Sequence, residues 1–165
     1  MSFQRNAFTL RKATQDDCAT VLDLIKALAE YERMADAVIA TEDSLRKAIF
    51  ERQRATVFLA EVQDKAVGFA LCFFSFSTFV GQETLYLEDL YVMPAYRGTG
   101  IGKALLKAVA KEASIHGCRR LDWVCLNWNT SAIAFYQSLG AHTLEAWQLF
   151  RLEGKALEQL AKETF

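Results

Sequence analysis

The architecture of this chain is set by residues 92–103, which read VMPAYRGTGIGK and carry three glycines at alternate positions. A strand-like run precedes them at 85–93, and the helical spacing of Ile101, Leu105 and Val109 continues to about residue 116. A glycine-rich turn at a helix N-terminus presents several backbone N–H groups to an anion, and the helix dipole strengthens the attraction. The turn therefore predicts a phosphate site. The alternative is a loop whose glycines only supply positive φ angles.

Two common phosphate loops are excluded by the same residues. The Walker loop needs a hydroxyl residue after Gly-Lys to hold magnesium, but Ala104 follows Lys103 here, and Arg97 stands where its first glycine should be. The dinucleotide fingerprint G-x-G-x-x-G fails because Lys103 occupies the position of its third glycine. The pattern that fits residues 97–102 is R-x-x-G-x-G.

The rest of the chain alternates between strand-like and helix-like segments. We expect further strands at 7–13, 55–62, 66–77, 120–126, 141–145 and 147–152. We expect further helices at 15–31, 41–52 and 130–139, with a short helix at the end of the chain. In a chain of 165 residues without a linker or an internal repeat, this order predicts one α/β domain over residues 1–165.

Composition argues against several classes of function. The formal charge is −1, from 19 basic and 20 acidic residues, so the strongly basic surface that favours nucleic-acid binding is missing. The four cysteines form no C-x-x-C pair and the two histidines complete no zinc spacing, which predicts reduced thiols, no metal site and a cytoplasmic protein. The N-terminus lacks an apolar signal segment, and the longest apolar stretch, 67–79, is too short to span a bilayer.

The R-x-x-G-x-G pattern resembles the pyrophosphate loop of the GNAT family of N-acetyltransferases, in particular its spermidine/spermine and thialysine acetyltransferase branch. Further matches to that branch are LAEYE at 28–32, LYLEDLYV at 85–92, WN at 128–129 and FYQSLGA at 135–141. The resemblance implies a mixed, mostly antiparallel central sheet flanked by helices, acetyl-CoA as cosubstrate, and a homodimer. It assigns cofactor binding at the turn to Arg97, Gly98, Thr99, Gly100, Ile101, Gly102 and Lys103.

Acetyl transfer to an amine requires a neutral nucleophile, and an alkylammonium has a pKa of about 10.4, so a base or a proton path is useful. The resemblance makes Glu88 that base, acting through water, and makes Tyr136 the acid that protonates the departing thiolate. Glu88 lies in an otherwise apolar strand, which favours a function. The alternative interpretation is that Glu88 is only a solvated carboxylate of the strand. Tyr136 lies on the apolar face of its helix. The alternative interpretation is therefore a core tyrosine whose hydroxyl is hydrogen-bonded within the protein.

Further contacts with cofactor and substrate follow from the same resemblance. The cofactor contacts implied outside the turn are Leu90, Tyr91, Val92, Asn129 and Tyr136. A backbone N–H of the strand residues among them would stabilise the oxyanion, and Asn129 also suits a helix cap. The substrate contacts implied are Tyr31, Glu32, Glu88 and Asp89. Strand alternation turns Asp89 away from Glu88, unless a β-bulge of the kind the family carries in this strand lets both acids reach the cleft.

Two departures from the sequences of this branch reduce the range of expected acceptors. Ser77-Thr78-Phe79 replaces the Tyr-Asp-Pro-Trp stretch of those enzymes, and Asn127 stands where the thialysine relatives carry an acid. We therefore predict acetylation of a primary amine of a small molecule by direct attack, the acceptor being a diamine, a polyamine or a lysine- or thialysine-like amino acid. The alternatives are a non-catalytic acyl-CoA-binding sensor and an acetyltransferase that acts on protein lysines or N-termini.

Overall fold

The computed structural model describes residues 7–163 and divides the chain into two compact units, Met1–Val124 and Cys125–Phe165. All the strands of the described residues lie in the first unit, together with the glycine-rich turn. The second unit contains helices and irregular segments. One domain over residues 1–165 stays a prediction.

The first unit is built on a mixed, mostly antiparallel sheet with the strand order β1-β2-β3-β4-β5. Its strands are β1 (Thr9–Lys12), β2 (Thr56–Val62), β3 (Lys65–Ser77), β4 (Gln82–Val92) and β5 (Leu121–Asp122). The first four pair antiparallel, and β5 pairs parallel with β4 only at Leu85 and Tyr86. The predicted α/β class and mostly antiparallel sheet are confirmed. The strand predicted at 120–126 is wrong beyond residue 122, because no neighbouring strand pairs with those residues.

Helices pack against this sheet. They are α1 (Cys18–Tyr31), α2 (Glu42–Leu45), which continues as a π-helix over Arg46–Glu51, and α3 (Ile101–Ile115). Leu24 and Leu28 of α1 pack with Leu59 and Phe69 of the sheet in one buried core. The α3 helix packs against β2, β3 and β4. Its predicted apolar residues, all buried, are Ile101, Leu105 and Val109.

A β-bulge interrupts β4 at Glu88. Leu87 lies opposite Cys72 and Asp89 lies opposite Leu71, so Glu88 is the extra residue on β4. Because Leu71 belongs to the core cluster that α1 covers, Asp89 lies on the α1 face of the sheet. The bulge implied by the family resemblance is therefore present, and it interrupts the strict alternation of side chains at the two acids.

The second unit contains α4 (Thr130–Ser138) and α5 (Gly154–Lys162), close to the predicted helices. The strands predicted at 141–145 and 147–152 are wrong. Residues 125–163 form no strand, and every residue of 142–163 is exposed. A strand needs a neighbouring strand for its backbone N–H and C=O groups, and the described part of this unit supplies none. No helix formed by residues 7–163 has the length and apolarity needed to cross a membrane.

Candidate active site

The glycine-rich turn joins the end of β4 to the first turn of α3. A short 3-10 turn at Pro94–Tyr96 leads into it. Gly98 has a φ of +75° and Gly100 a φ of +93°, both in the left-handed region that favours glycine. Gly100 is also the N-cap of α3, which begins directly after it. The turn thus has the strand–turn–helix geometry that a phosphate site requires, and two of its glycines supply positive φ angles as well.

Six consecutive backbone N–H groups of this turn, those of residues 98–103, donate to no acceptor within the described chain. The first hydrogen bond of α3 runs from the Ala104 N–H to the Gly100 carbonyl at 3.0 Å. A Cβ added at Gly98 or Gly100 would meet no atom within 4 Å, so the space beside the turn is open. Unpaired N–H groups at the start of a 15-residue helix fit a pyrophosphate group.

The end of β4 presents two backbone amides on the side away from β3. The Met93 N–H donates to the Val67 carbonyl at 2.8 Å, so the alternation of the antiparallel ladder directs the N–H groups of Leu90 and Val92 away from β3. The Val92 carbonyl on that side accepts a hydrogen bond from Arg97 Nε at 2.8 Å. Because β5 pairs only with the first half of β4, this stretch of strand edge has amides that a ligand can use.

A cavity of about 290 Å³ lies beside α1 and the bulge of β4. Three carboxylates line it, those of Glu32, Glu88 and Asp89. Its other lining residues are apolar: Ile25, Leu28, Ala29, Met34, Ala37 and Val38. Three of the four predicted substrate residues therefore come together on one cavity, although Glu32 is 56 positions from Glu88 in the sequence.

The three carboxylates of this cavity form no ion pair and no side-chain hydrogen bond with any residue of 7–163. Burial, and then the negative charges of Glu88 and Glu32, raises the pKa of Asp89 to about 7. Burial also raises the pKa of Glu32. Glu88 is exposed, so water reaches its carboxylate. Negative charge in an apolar cavity without a protein counter-ion favours the binding of a cation.

Arg97 and Tyr31 contact each other at the edge of this region. The guanidinium carbon of Arg97 lies 4.3 Å from the centroid of the Tyr31 ring and 5.7 Å from that of Tyr91. Tyr31 does not line the cavity, although it precedes Glu32, which does. Tyr91 is buried in the core. A pyrophosphate contact through the Arg97 side chain stays a prediction, and so does a substrate contact through Tyr31.

Asn129 and Tyr136 belong to the second unit. Asn129 caps α4, since its side-chain oxygen accepts from the Ala132 N–H at 3.4 Å, and the predicted cap is confirmed. Tyr136 is half-buried, and its ring centroid lies 5.4 Å from that of Phe135. Their roles toward the cofactor stay predictions.

Met34, Ala37 and Val38 form a cavity wall that the sequence did not predict. Arg33, with a φ of +61°, turns the chain at the end of α1, and the Met34 N–H then donates to the Ala29 carbonyl at 2.8 Å. A left-handed conformation at a residue other than glycine has no clear signal in the sequence. The only indication of this wall in the sequence is the run of apolar residues that follows the acidic end of α1.

Comparison with known proteins gives a consistent result. The model of the acetyltransferase (GNAT) family matches residues 20–141. The thialysine N-epsilon-acetyltransferase of Bos taurus is 41% identical over 164 residues, with 92% of this chain and 96% of that protein covered. The L-ornithine N5-acetyltransferase of Arabidopsis thaliana is 31% identical, with 93% and 87% covered.

Among solved structures, an integron cassette protein from the mobile metagenome of V. cholerae has a TM-score of 0.80 to this chain. The two are 31% identical, and the match covers 94% of this chain and 98% of that one. The family match crosses the boundary between the two compact units, since it includes residues on both sides of Val124.

Proposed function

Because the chain belongs to the acetyltransferase (GNAT) family, we propose that its acceptor is a short diamine or a lysine-like amino acid, acetylated on a terminal primary amine. The chain is an acetyl-CoA-dependent N-acetyltransferase of a small-molecule amine. It lies in the branch of thialysine and spermidine/spermine acetyltransferase-like proteins. Thialysine and L-ornithine, the compounds in the names of two relatives, each carry a terminal ammonium on a short chain.

The observation that carries this proposal is the cavity with three carboxylates and apolar walls. Glu32, Glu88 and Asp89 concentrate negative charge at one end, and no protein cation offsets it within residues 7–163. An alkylammonium would supply the missing positive charge while its methylene groups contact Ile25 and Leu28. A neutral or anionic acceptor would leave the carboxylates uncompensated.

The size of the cavity favours a short acceptor. Its volume of about 290 Å³ lies slightly below the range of about 300–1,000 Å³ that is typical of small-molecule pockets. Ser77, Thr78 and Phe79, which replace a substrate-binding stretch of the polyamine enzymes, do not line it. We therefore expect a lower kcat/KM with spermine as the acceptor than with thialysine, lysine or ornithine.

In the proposed mechanism, Glu32 and Asp89 bind the acceptor ammonium and Glu88 removes its proton through a water molecule. Removal of the proton leaves the lone pair of the amine free to attack. The exposure of Glu88 supports a route through water, and the raised pKa of Asp89, caused first by burial, makes Asp89 the less suitable proton acceptor of the two. The attack is direct, so no residue of this chain carries the acetyl group.

When bound, acetyl-CoA supplies the activated acetyl group. The N–H groups of residues 98–103 would hold its pyrophosphate, assisted by the charge of Lys103. The N–H groups of Leu90 and Val92 would face the carbonyl oxygen at which negative charge develops. Tyr136 would donate the proton that the departing thiolate needs, and Asn129 would contact the cofactor while capping α4.

The proposal includes one domain over residues 1–165, a homodimer and a cytoplasmic location. The family match across residues 20–141 supports a single functional domain. Four free cysteines are consistent with a reducing compartment.

Exposed large apolar side chains of the second unit, including Trp147, Leu149 and Phe150, support an interface with a second copy. Light scattering after size-exclusion chromatography measures the oligomeric state, and a monomeric mass at micromolar concentration would contradict the dimer.

The test is thiol release from acetyl-CoA with thialysine, lysine, ornithine, putrescine, spermidine, spermine and a lysine peptide as acceptors. We expect turnover with the small amines and the highest kcat/KM for a short one. Glu32→Gln is expected to raise the KM of the acceptor, whereas Glu30→Gln, at an exposed position of the same helix, is the matched control. A preference for spermine, or turnover of the peptide alone, would contradict the proposed acceptor. Binding of acetyl-CoA without any turnover would favour the non-catalytic sensor.

A further inference from the structure

Arg97 opens the phosphate turn, but its side chain makes its contacts elsewhere. Its Nε donates to the Val92 carbonyl at 2.8 Å, and its guanidinium carbon lies 4.3 Å from the centroid of the Tyr31 ring. Tyr31 is the last residue of α1, and Glu32, the next residue, lines the acceptor cavity. The side chain therefore reaches from the cofactor turn to the end of the helix that carries an acceptor carboxylate.

We propose that Arg97 is a positioning residue of the acceptor site, which it serves by holding Tyr31 and, through it, the end of α1. This inference rests on the proposed function insofar as the cavity is the acceptor site. The motif alone would assign Arg97 to the pyrophosphate. In the structure, the planar guanidinium lies over the Tyr31 ring, and the Nε–H donates to the Val92 carbonyl at the end of β4.

The contact suits this role because it has a defined orientation. The hydrogen bond to Val92 fixes the plane of the guanidinium at the end of β4, and a guanidinium over an aromatic ring is attracted by the π-electrons. The chain leaves α1 abruptly at this point. The Glu32 N–H makes the last helical bond, to the Leu28 carbonyl at 2.9 Å, and Arg33 then adopts its left-handed conformation. The Arg33 and Met34 N–H groups still donate to the carbonyls of Glu30 and Ala29, at 3.0 and 2.8 Å, so the backbone closes the helix end locally. The contact at Tyr31 adds a side-chain link from this helix end to the end of β4, at the residue next to Glu32.

The first experiment measures two dissociation constants by titration calorimetry, that of CoA and that of thialysine for the CoA-loaded protein. For Arg97→Gln we expect the Kd of thialysine to rise about fivefold or more, and by a larger factor than the Kd of CoA. Arg97→Lys keeps the charge but loses the planar stack, so we expect it to resemble Arg97→Gln. Arg119→Gln removes an arginine at an exposed position of the same unit and is the matched control.

A double-mutant cycle with Tyr31→Leu tests whether Arg97 affects thialysine binding through Tyr31. If Arg97 acts through Tyr31, the two substitutions together should raise the Kd of thialysine little more than either one alone. Additive effects would overturn the proposal. So would a rise of about tenfold in the Kd of CoA that Arg97→Lys restores, because that pattern is typical of a phosphate contact through charge.

The second experiment needs no ligand, which separates this inference from the proposed function. Amide hydrogen exchange of Glu32 and Arg33 should be about tenfold faster in Arg97→Gln than in wild type or Arg119→Gln, with the exchange of β2 and β3 unchanged. Unchanged exchange at the end of α1 would overturn the positioning role. Failure of thialysine to bind to wild type would contradict the proposed acceptor, while the exchange result would still decide the role of Arg97.

Discussion

Glu88 and Asp89 are consecutive residues of one strand, yet both side chains line the same cavity. The β-bulge in β4 makes this possible, because Glu88 is the extra residue between the pairs Leu87–Cys72 and Asp89–Leu71. Burial of the Asp89 carboxyl, and then the negative charges of Glu88 and Glu32, raises its pKa to about 7. The bulge thus gives the candidate acceptor site its negative charge and its titration near neutral pH.

Substitution Asp89→Asn should change the pH dependence of stability. The pKa of Asp89 is about 7 in the folded chain and near 3.8 when unperturbed, so the native state holds the extra proton between these values. Stability of the wild type should therefore fall as pH rises from about 4 to about 7, by up to about 4 kcal/mol for the full shift. The amide of Asp89→Asn stays neutral, so the variant should have a higher Tm than wild type at about pH 8 and a similar Tm at about pH 4.

Scanning calorimetry across this pH range checks the prediction. Asp23→Asn, at an exposed position of α1, is the control and should follow the wild-type curve. An Asp89→Asn curve parallel to that of wild type at every pH would mean that the Asp89 carboxyl titrates normally.

Substitution Glu88→Gln should lower kcat by about 10²–10⁴-fold, because an amide cannot accept the proton of the acceptor ammonium. Glu83→Gln removes an exposed carboxylate from the same strand and should leave kcat within about twofold of wild type. Steady-state kinetics with saturating thialysine and acetyl-CoA gives both values. Equal activity of Glu88→Gln and wild type would remove Glu88 from the proton path.

Substitution Gly98→Ala should weaken the binding of acetyl-CoA, because the new methyl group would lie beside the amides of the turn. Gly81 provides a close control, since both glycines have a φ of +75° and open space where a Cβ would stand. Each alanine should cost about 1–2 kcal/mol of stability through the left-handed backbone. Only Gly98→Ala should raise the KM of acetyl-CoA, by about tenfold or more. Matching KM values in the two variants would place the pyrophosphate elsewhere.

Substitution Tyr136→Phe should lower kcat by about 10²–10⁴-fold while the Kd of acetyl-CoA stays nearly constant, because the hydroxyl would act on the departing thiolate. Tyr86→Phe is the control for the loss of a phenol hydroxyl, since the Tyr86 ring packs 5.1 Å from that of Phe73 within the sheet. Stopped-flow measurement of thiol release checks the prediction. A kcat of Tyr136→Phe equal to that of Tyr86→Phe would leave Tyr136 a packing residue.

Local patterns predicted most of the first unit. The spacing of Ile101, Leu105 and Val109 reflects a helix period, and the glycines before them mark its start, so α3 and its turn were predictable from residues 97–109 alone. The C-terminal strands at 141–145 and 147–152 were not predicted correctly. Their apolar residues resemble strands, but a strand forms only against a neighbour, and pairing is a property of distant segments.

The chemistry of the candidate site divides in the same way. The glycine pattern of the turn and the acidic pair Glu88 and Asp89 in an apolar strand are local features, so the sequence itself indicated them. Glu32 was predicted from the family resemblance. Only the tertiary structure decided that these acids share one cavity and that Arg97 contacts Tyr31. Both relationships depend on the bulge register between β3 and β4 and on how α1 packs against the sheet. Such long-range geometry sets burial and charge proximity, and these in turn determine the pKa of Asp89.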